Sequence, residues 1–297
     1  MLLGTGSQPS NRHERPLTST LGAIRLVHVF PSVTVVAAST LLLFVAHRGS
    51  PSLALTLRAI AVVASSQVAV GALNDFVDRF DDARTQPEKP LPSGQVLPSV
   101  AVIMVAVGIV VCCSFALTFG PTSLGIVGVG LGSGLAYDLW LKRTPFSPAA
   151  YIVSFLSLIT WIWLIAGKFT WTLAILYPLG ACLLLAAHLA NALPDAQTDA
   201  ALGQRGLVVV LGPRRALTTV LTIGGAATFF AFVFSAVEHV PLGLVFSLAS
   251  GSFVGFAGWM ARRSNLDRHS LQQIFQCVAP AIALIAASCL LAFQSID

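Results

Sequence analysis

Two short stretches hold half of the twelve acidic side chains in this sequence. Asn74-Asp75-Phe76-Val77-Asp78-Arg79-Phe80-Asp81-Asp82 closes one apolar run, and Asn191-Ala192-Leu193-Pro194-Asp195-Ala196-Gln197-Thr198-Asp199 closes another. In both, an asparagine is followed by aspartates four and eight positions later. On a helix such residues share one side and rise about 6 Å per step. Like charges stacked this way are destabilising unless a cation neutralises them. Magnesium is suited to that task, because it prefers oxygen ligands and completes its shell from water and phosphate. The candidate metal ligands are therefore Asn74, Asp75, Asp78 and Asp82 on one side and Asn191, Asp195 and Asp199 on the other. Two such faces meeting across a cavity would suit a diphosphate held by more than one Mg2+. Asp75 fits this face less well, lying about 100° round the helix from Asn74.

The elements that must position these residues are membrane helices. The chain has 297 residues, of which 56% are hydrophobic and only 10% charged, too apolar for a soluble domain of this size. Apolar runs of about 20 residues, long enough to cross a bilayer, recur at roughly 22–46, 51–73, 96–118, 122–141, 149–167, 170–192, 214–237, 240–261 and 271–294. The expected architecture is all-α and polytopic, with nine transmembrane helices around a central cavity capped by cytoplasmic loops. Residues 1–21 form a cytoplasmic tail and 22–297 a single domain. With nine spans, Arg79, Arg84, Lys89, Lys142, Arg143, Arg205, Arg214, Arg215, Arg262 and Arg263 fall on one side. The positive-inside rule places that side, with the N-terminus, in the cytoplasm and the C-terminus outside. The acidic motifs lie on the same side. Basic residues spread over separate membrane loops, without interleaved aromatics on one face, argue against nucleic-acid binding. The five cysteines lie in apolar spans without metal-type or disulfide spacing.

At these residues the sequence resembles the UbiA superfamily of intramembrane prenyltransferases. Asn74, Asp75, Asp78 and Asp82 match its NDxxDxxxD motif, and Asp195 and Asp199 match its DxxxD motif. The resemblance extends to the Pro-rich loop at 87–94 and to Tyr137-Asp138-Leu139-Trp140-Leu141-Lys142-Arg143. It implies Mg2+-dependent transfer of a prenyl group from a prenyl diphosphate to a small-molecule acceptor, with Arg79, Tyr137 and Lys142 contacting the diphosphate. One departure follows the second motif: Gly203-Gln204-Arg205-Gly206-Leu207 replaces a Gly-x-x-Thr-Leu run.

Cleaving an allylic C–O bond puts negative charge on the leaving diphosphate and positive charge on carbon. Arg79, Lys142 and Arg143 supply fixed cations for the first, with Asp78, Asp195, Arg79 and Lys142 the expected catalytic set. The carbocation needs a dry pocket and favours aromatic faces, for which Phe76, Phe80 and Trp140 are candidates. His188, one turn before Asn191, and Arg25, placed within the first expected span, are candidates for the prenyl or acceptor pocket. A lipophilic, aromatic acceptor is the leading expectation, against an acceptor-free terpene cyclase. A cation-coupled transporter is the rival from another class, but it would place its charged site nearer the bilayer midplane. The acidic motifs define donor activation and leave the acceptor, chain length and oligomeric state open.

Overall fold

The computed structural model describes residues 15–295, and among them the secondary structure is entirely helical. In chain order the helices are α1 (Arg15–Leu26), α2 (Val29–His47), α3 (Leu53–Thr85), α4 (Pro98–Leu117), α5 (Pro121–Leu139), α6 (Ser147–Ile165), α7 (Tyr177–Ala192), α8 (Ala196–Ala201), α9 (Leu207–Leu211), α10 (Pro213–Val237), α11 (Pro241–Arg263) and α12 (Arg268–Gln294). Among the described residues, eight helical segments are long and apolar enough to cross a bilayer. The protein is an integral, multi-pass membrane protein. The expected span at 122–141 corresponds to α5. It matches α2 and α6 in length, but Gly125, Gly128, Gly130, Gly132 and Gly134 dilute its hydropathy. Prolines in the first turn start α4, α5, α6, α7, α10 and α11, where a missing N–H costs nothing.

Small residues allow the helices to approach closely, as expected where lipid removes the hydrophobic drive for helix pairing. A Cβ on Gly108 of α4 would lie 2.8 Å from the Ser65 carbonyl oxygen of α3, so the two backbones meet there. Ser235, Ser247 and Ser288 join α10, α11 and α12 through hydroxyl contacts of 2.8–2.9 Å, and Ser288 also donates to the Gly243 carbonyl at 2.9 Å. At the end of the bundle away from the acidic motifs, Arg48 donates to the Gln294 carbonyl at 2.9 Å and Gln294 Nε2 to the Val45 carbonyl at 2.6 Å, linking the start of the bundle to its last helix.

The first expected span, 22–46, is in fact two helices. Proline at position 31 lacks an N–H and its ring crowds the carbonyl four residues earlier, so the chain turns at His28, which takes a left-handed conformation with φ 50°. The Val27 carbonyl accepts from the Ser32 hydroxyl instead, at 2.6 Å. Helix α1 begins at Arg15, inside the stretch expected to be tail; residues 1–14 lie outside the described residues. The turn rests on Gly71 of α3, where a Cβ would come within 2.9 Å of the Leu26 carbonyl oxygen. Because Arg25 belongs to α1 and not to a spanning helix, it is exposed instead of lining a cavity.

Candidate active site

Helix α3 is the rod that presents the first acidic motif. Its 33 residues rise about 50 Å at 1.5 Å each, against a hydrocarbon core of about 30 Å. The turns carrying residues 74–85 therefore extend past the core, where two connections fold over them. Lys89, in the loop between α3 and α4, reaches back to Asp82 Oδ2 at 2.9 Å and to Asp75 Oδ1 at 3.4 Å. Lys142, in the 3-10 turn Leu141–Arg143 after α5, donates to Asp78 Oδ2 at 2.7 Å and Asn74 Oδ1 at 3.0 Å. Arg143 lies on Asp78 at 3.3 Å and Asp81 at 3.0 Å. Burial works against the Lys89 ammonium, but its hydrogen bond to Asp82 and the charges of Asp75 and Asp82 outweigh that. Its pKa is raised above the ordinary lysine value of 10.5.

The acidic face of α3 is therefore two stripes. Asn74 and Asp78 share Lys142, while Asp75 and Asp82 share Lys89. Helical geometry accounts for the division: seven residues advance the helix by nearly two whole turns, so Asp75 and Asp82 lie about 20° apart, whereas eight residues separate Asn74 from Asp82 by about 80°. Asp75, the poorer fit on spacing alone, is buried at 3% exposure and also contacts His28 Nε2 at 3.1 Å. Asp81, which has no partner on the shared face, is an Arg143 partner. Arg79 leaves the carboxylates and lies over the rings of Phe76 at 4.2 Å and Phe80 at 4.3 Å.

The second motif is built differently. Proline at 194 ends α7 at Ala192, a 3-10 turn covers Leu193–Asp195, and α8 begins at Ala196. The 3-10 turn interrupts the regular helical spacing of Asn191, Asp195 and Asp199, although the Asp195 charge still lies within electrostatic reach of Asp199. Asn191 is exposed. Asp195 turns to Arg268, at the start of α12, with 2.8 Å between them. Asp199 lies within electrostatic reach of Asp78 and Lys142, and Tyr137 within reach of Asp78 and Asp199. The loop after α8 docks on the 3-10 turn after α5: the Arg205 N–H donates to the Arg143 carbonyl at 3.1 Å, and a Cβ on Gly206 would lie 3.3 Å from the Lys142 carbonyl oxygen. The run 203–207 that departs from the family pattern is thus the contact that sets one motif against the other.

Beneath the acids lies a small polar layer. His188 is 3% exposed; its Nε2 is 2.9 Å from the Ser147 hydroxyl, and its ring packs edge-on to Tyr137 and against Tyr151. Trp140 points outward at 66% exposure, so it lines no pocket, and Phe80 is 70% exposed. Phe76 packs with Leu26, Leu91, Val96 and Ala101. Trp161 is a core residue whose indole N–H donates to the Ser123 hydroxyl at 2.6 Å.

Asp138 is a further candidate for the site, to which motif spacing gave no role. It is 2% exposed, its Oδ1 is 3.9 Å from Lys142 Nζ, and its Oδ2 is a buried oxygen with no hydrogen-bond partner. The signal was available as the i, i+4 pair Asp138/Lys142, which puts a carboxylate and an ammonium on one side of a helix end. The donor set suits magnesium: Asn74, Asp78, Asp138 and Asp199 offer oxygen, and one buried carboxylate oxygen is unpartnered. Among the described residues, no three His, Cys, Asp or Glu side chains form a ready-made metal cage. Lys142 and Lys89 occupy the carboxylates, so a cation would share Asp78 with Lys142.

The model of the UbiA prenyltransferase family matches residues 32–278, most of the chain. The chain belongs to the UbiA prenyltransferase family. Among curated relatives, the digeranylgeranylglyceryl phosphate synthase of Natronomonas pharaonis is 30% identical over 164 residues, covering 54% of this chain and 58% of that protein. The chain thus spans a little over half the length of this relative. Among solved structures, one described as giving structural and mechanistic insights into digeranylgeranylglyceryl phosphate synthase in membranes matches with a TM-score of 0.69 and 16% identity, over 93% of this chain and 97% of the other. A UbiA homologue from Archaeoglobus fulgidus, solved bound to GPP and Mg2+, matches with a TM-score of 0.65 and 19% identity, over 90% and 99% of the two chains. At such identities the structural matches establish the UbiA fold of this chain.

Proposed function

We propose that this UbiA-family chain is an Mg2+-dependent intramembrane prenyltransferase that takes a prenyl diphosphate donor and transfers its prenyl group to a glyceryl phosphate-type acceptor. The observation that carries the proposal is the position of Lys142. One ammonium is bonded to Asn74 and Asp78 of the first motif, faces buried Asp138, and lies within electrostatic reach of Asp199 of the second. A cation on a fixed turn among convergent oxygen donors suits a diphosphate accompanied by metal. The acceptor class rests on the name of the curated relatives and replaces the aromatic acceptor favoured on sequence alone. A glyceryl phosphate already carrying one geranylgeranyl group is the chemically matching acceptor. The positive bias of the loops at the acidic end of the bundle supports a cytoplasmic location for it.

In this reaction the allylic C–O bond to diphosphate breaks, a bond from the acceptor oxygen to the prenyl carbon forms, and the acceptor proton passes to a base. Magnesium, when bound, supplies charge neutralisation on the leaving group. Asn74, Asp78, Asp138 and Asp199 would hold it, with Asp75, Asp82 and Asp195 around them. Lys142 and Arg143 stabilise the developing charge on diphosphate from fixed positions. The apolar helices below the motifs exclude water from the prenyl carbon.

The test supplies purified protein with Mg2+ and geranylgeranyl diphosphate in three arms: with geranylgeranylglyceryl phosphate, with an aromatic acceptor, and alone. Diphosphate release and a doubly prenylated product are expected in the first arm only, with a loss of at least about a hundredfold in Asp78→Ala. Release without acceptor together with a cyclic hydrocarbon product would establish a cyclase, release only with the aromatic compound would restore the aromatic acceptor, and no release in any arm would overturn the enzyme assignment.

A further inference from the structure

A cavity of about 850 Å³ lies between α10 and α11, at the same end of the bundle as the acidic motifs but lined by other residues. None of the carboxylates or lysines of the candidate active site lines it. Its origin is a wedge. The two helices touch where a Cβ on Gly224 would lie 3.3 Å from Val254 and where Thr228 and Ser250 hydroxyls are 3.1 Å apart. Beyond that crossing they diverge, and a Cβ on Gly255 or Gly258 would meet nothing within 4 Å.

The wedge is graded in polarity along its depth. Leu217 and Leu221 of α10 and Val254 and Gly258 of α11 form the inner walls, while Arg214 and Arg262 stand at the mouth. Arg214 to Leu221 and Arg262 to Val254 span about 10–12 Å of helix. Both arginines are exposed, and neither forms an ion pair among the described residues, since the acidic side chains nearby are engaged elsewhere: Asp195 with Arg268, and Asp267 as the N-cap of α12. Ser264, also in the lining, has a buried hydroxyl without a hydrogen-bond partner. Trp259 flanks the opening and is held by stacking on Phe256 and by Arg263 over its ring at 4.7 Å, a placement typical of the membrane interface.

We propose that this groove is a binding site for an anionic phospholipid, with its phosphate between Arg214 and Arg262 and the start of one acyl chain along Leu217, Leu221 and Gly258. Charge complementarity selects the headgroup and the apolar depth selects a lipid over a soluble anion. The lipid would contact the Ser264–Asp267 turn, which runs directly into Arg268, the partner of Asp195.

Native mass spectrometry of the full chain, released from micelles holding equal phosphatidylglycerol and phosphatidylcholine of the same acyl composition, tests this. Each arginine is expected to contribute roughly a fivefold preference for the anionic lipid, about twenty-five-fold together. Arg214→Gln with Arg262→Gln should abolish the preference, Arg215→Gln on the adjacent exposed position should keep it, and Gly258→Leu should lower retention of either lipid. A preference unchanged in the double arginine variant would overturn the proposal. So would displacement of the lipid by millimolar inorganic phosphate or sn-glycerol 1-phosphate, which would identify the site as one for a soluble anion. The arginine variants alter exposed side chains only, so their result stands even if the glycine variant fails to fold.

Discussion

Replacing Lys142 by methionine separates its structural role from its chemical one. The side chain of Lys142 is 11% exposed and that of Asp138 is 3% exposed. Removing the ammonium leaves Asp78 with Arg143 at 3.3 Å, but leaves Asp138 without an ion pair, because Lys142 at 3.9 Å is its one partner among the described residues. At that separation the lost attraction is about 4 kcal/mol for an effective dielectric constant of 20, and breaking a buried pair by deleting one partner costs about 3–5 kcal/mol. Lys142→Met should therefore lower the free energy of unfolding in detergent, followed by SDS titration with circular dichroism, by about 3 kcal/mol. Adding Asp138→Asn removes the stranded charge and should restore about 2 kcal/mol of that loss, while diphosphate release stays abolished in single and double variants alike. If Asp138→Asn destabilises the Lys142→Met background as much as it does the wild type, the two groups are not coupled and the counter-ion argument fails.

Other outcomes follow from single contacts. Lys89→Met should cost stability by an amount that is constant from pH 7 to 9. Because the folded pKa of Lys89 is raised, its contribution is full below the ordinary lysine value and disappears only as pH climbs through the raised one; a wild-type/variant difference that shrinks between pH 7 and 9 would contradict this. Gly71→Leu places atoms where the Leu26 carbonyl lies 2.9 Å from a Cβ, so about 1–3 kcal/mol of overpacking and faster proteolysis at the α1–α2 turn are expected. Ser288→Ala deletes a hydroxyl shared by Ser235, Ser247 and Gly243, with an expected loss of about 1 kcal/mol in the same unfolding assay and no change in turnover. Arg268→Gln frees Asp195 from its 2.8 Å partner; both side chains are largely exposed, so stability should shift by less than about 1 kcal/mol, and a larger shift would show that the pair anchors α12.

The spans after the first were legible because a bilayer demands long apolar runs, and the predicted limits of α10 and α12 fall within three residues of the observed ones. The break at His28 was not, since a hydropathy window averages over a single proline even though Pro31 determines where the helix can start. The first motif was legible on α3 because regular helix geometry converts spacing directly into direction. The same arithmetic failed at Asn191, because Pro194 interrupts the helix on which the spacing argument depended. Asp138 stood in the 137–143 run without a role, because what marks it out is its burial and its distance to Lys142, neither of which a count of acidic residues contains.

The interrupted helix bears on how the candidate site can be reshaped. One set of carboxylates is fixed like graduations on a ruler, since α3 cannot change their separations without losing helical form. The other hangs on a joint whose position depends on backbone contacts at Gly206 and Arg205 and on the Arg268 pair. Substitutions in those connecting residues would alter the width of the gap between the two sets while leaving every carboxylate in place. The residues that set the spacing between the two groups of carboxylates are thus separable from the carboxylates themselves.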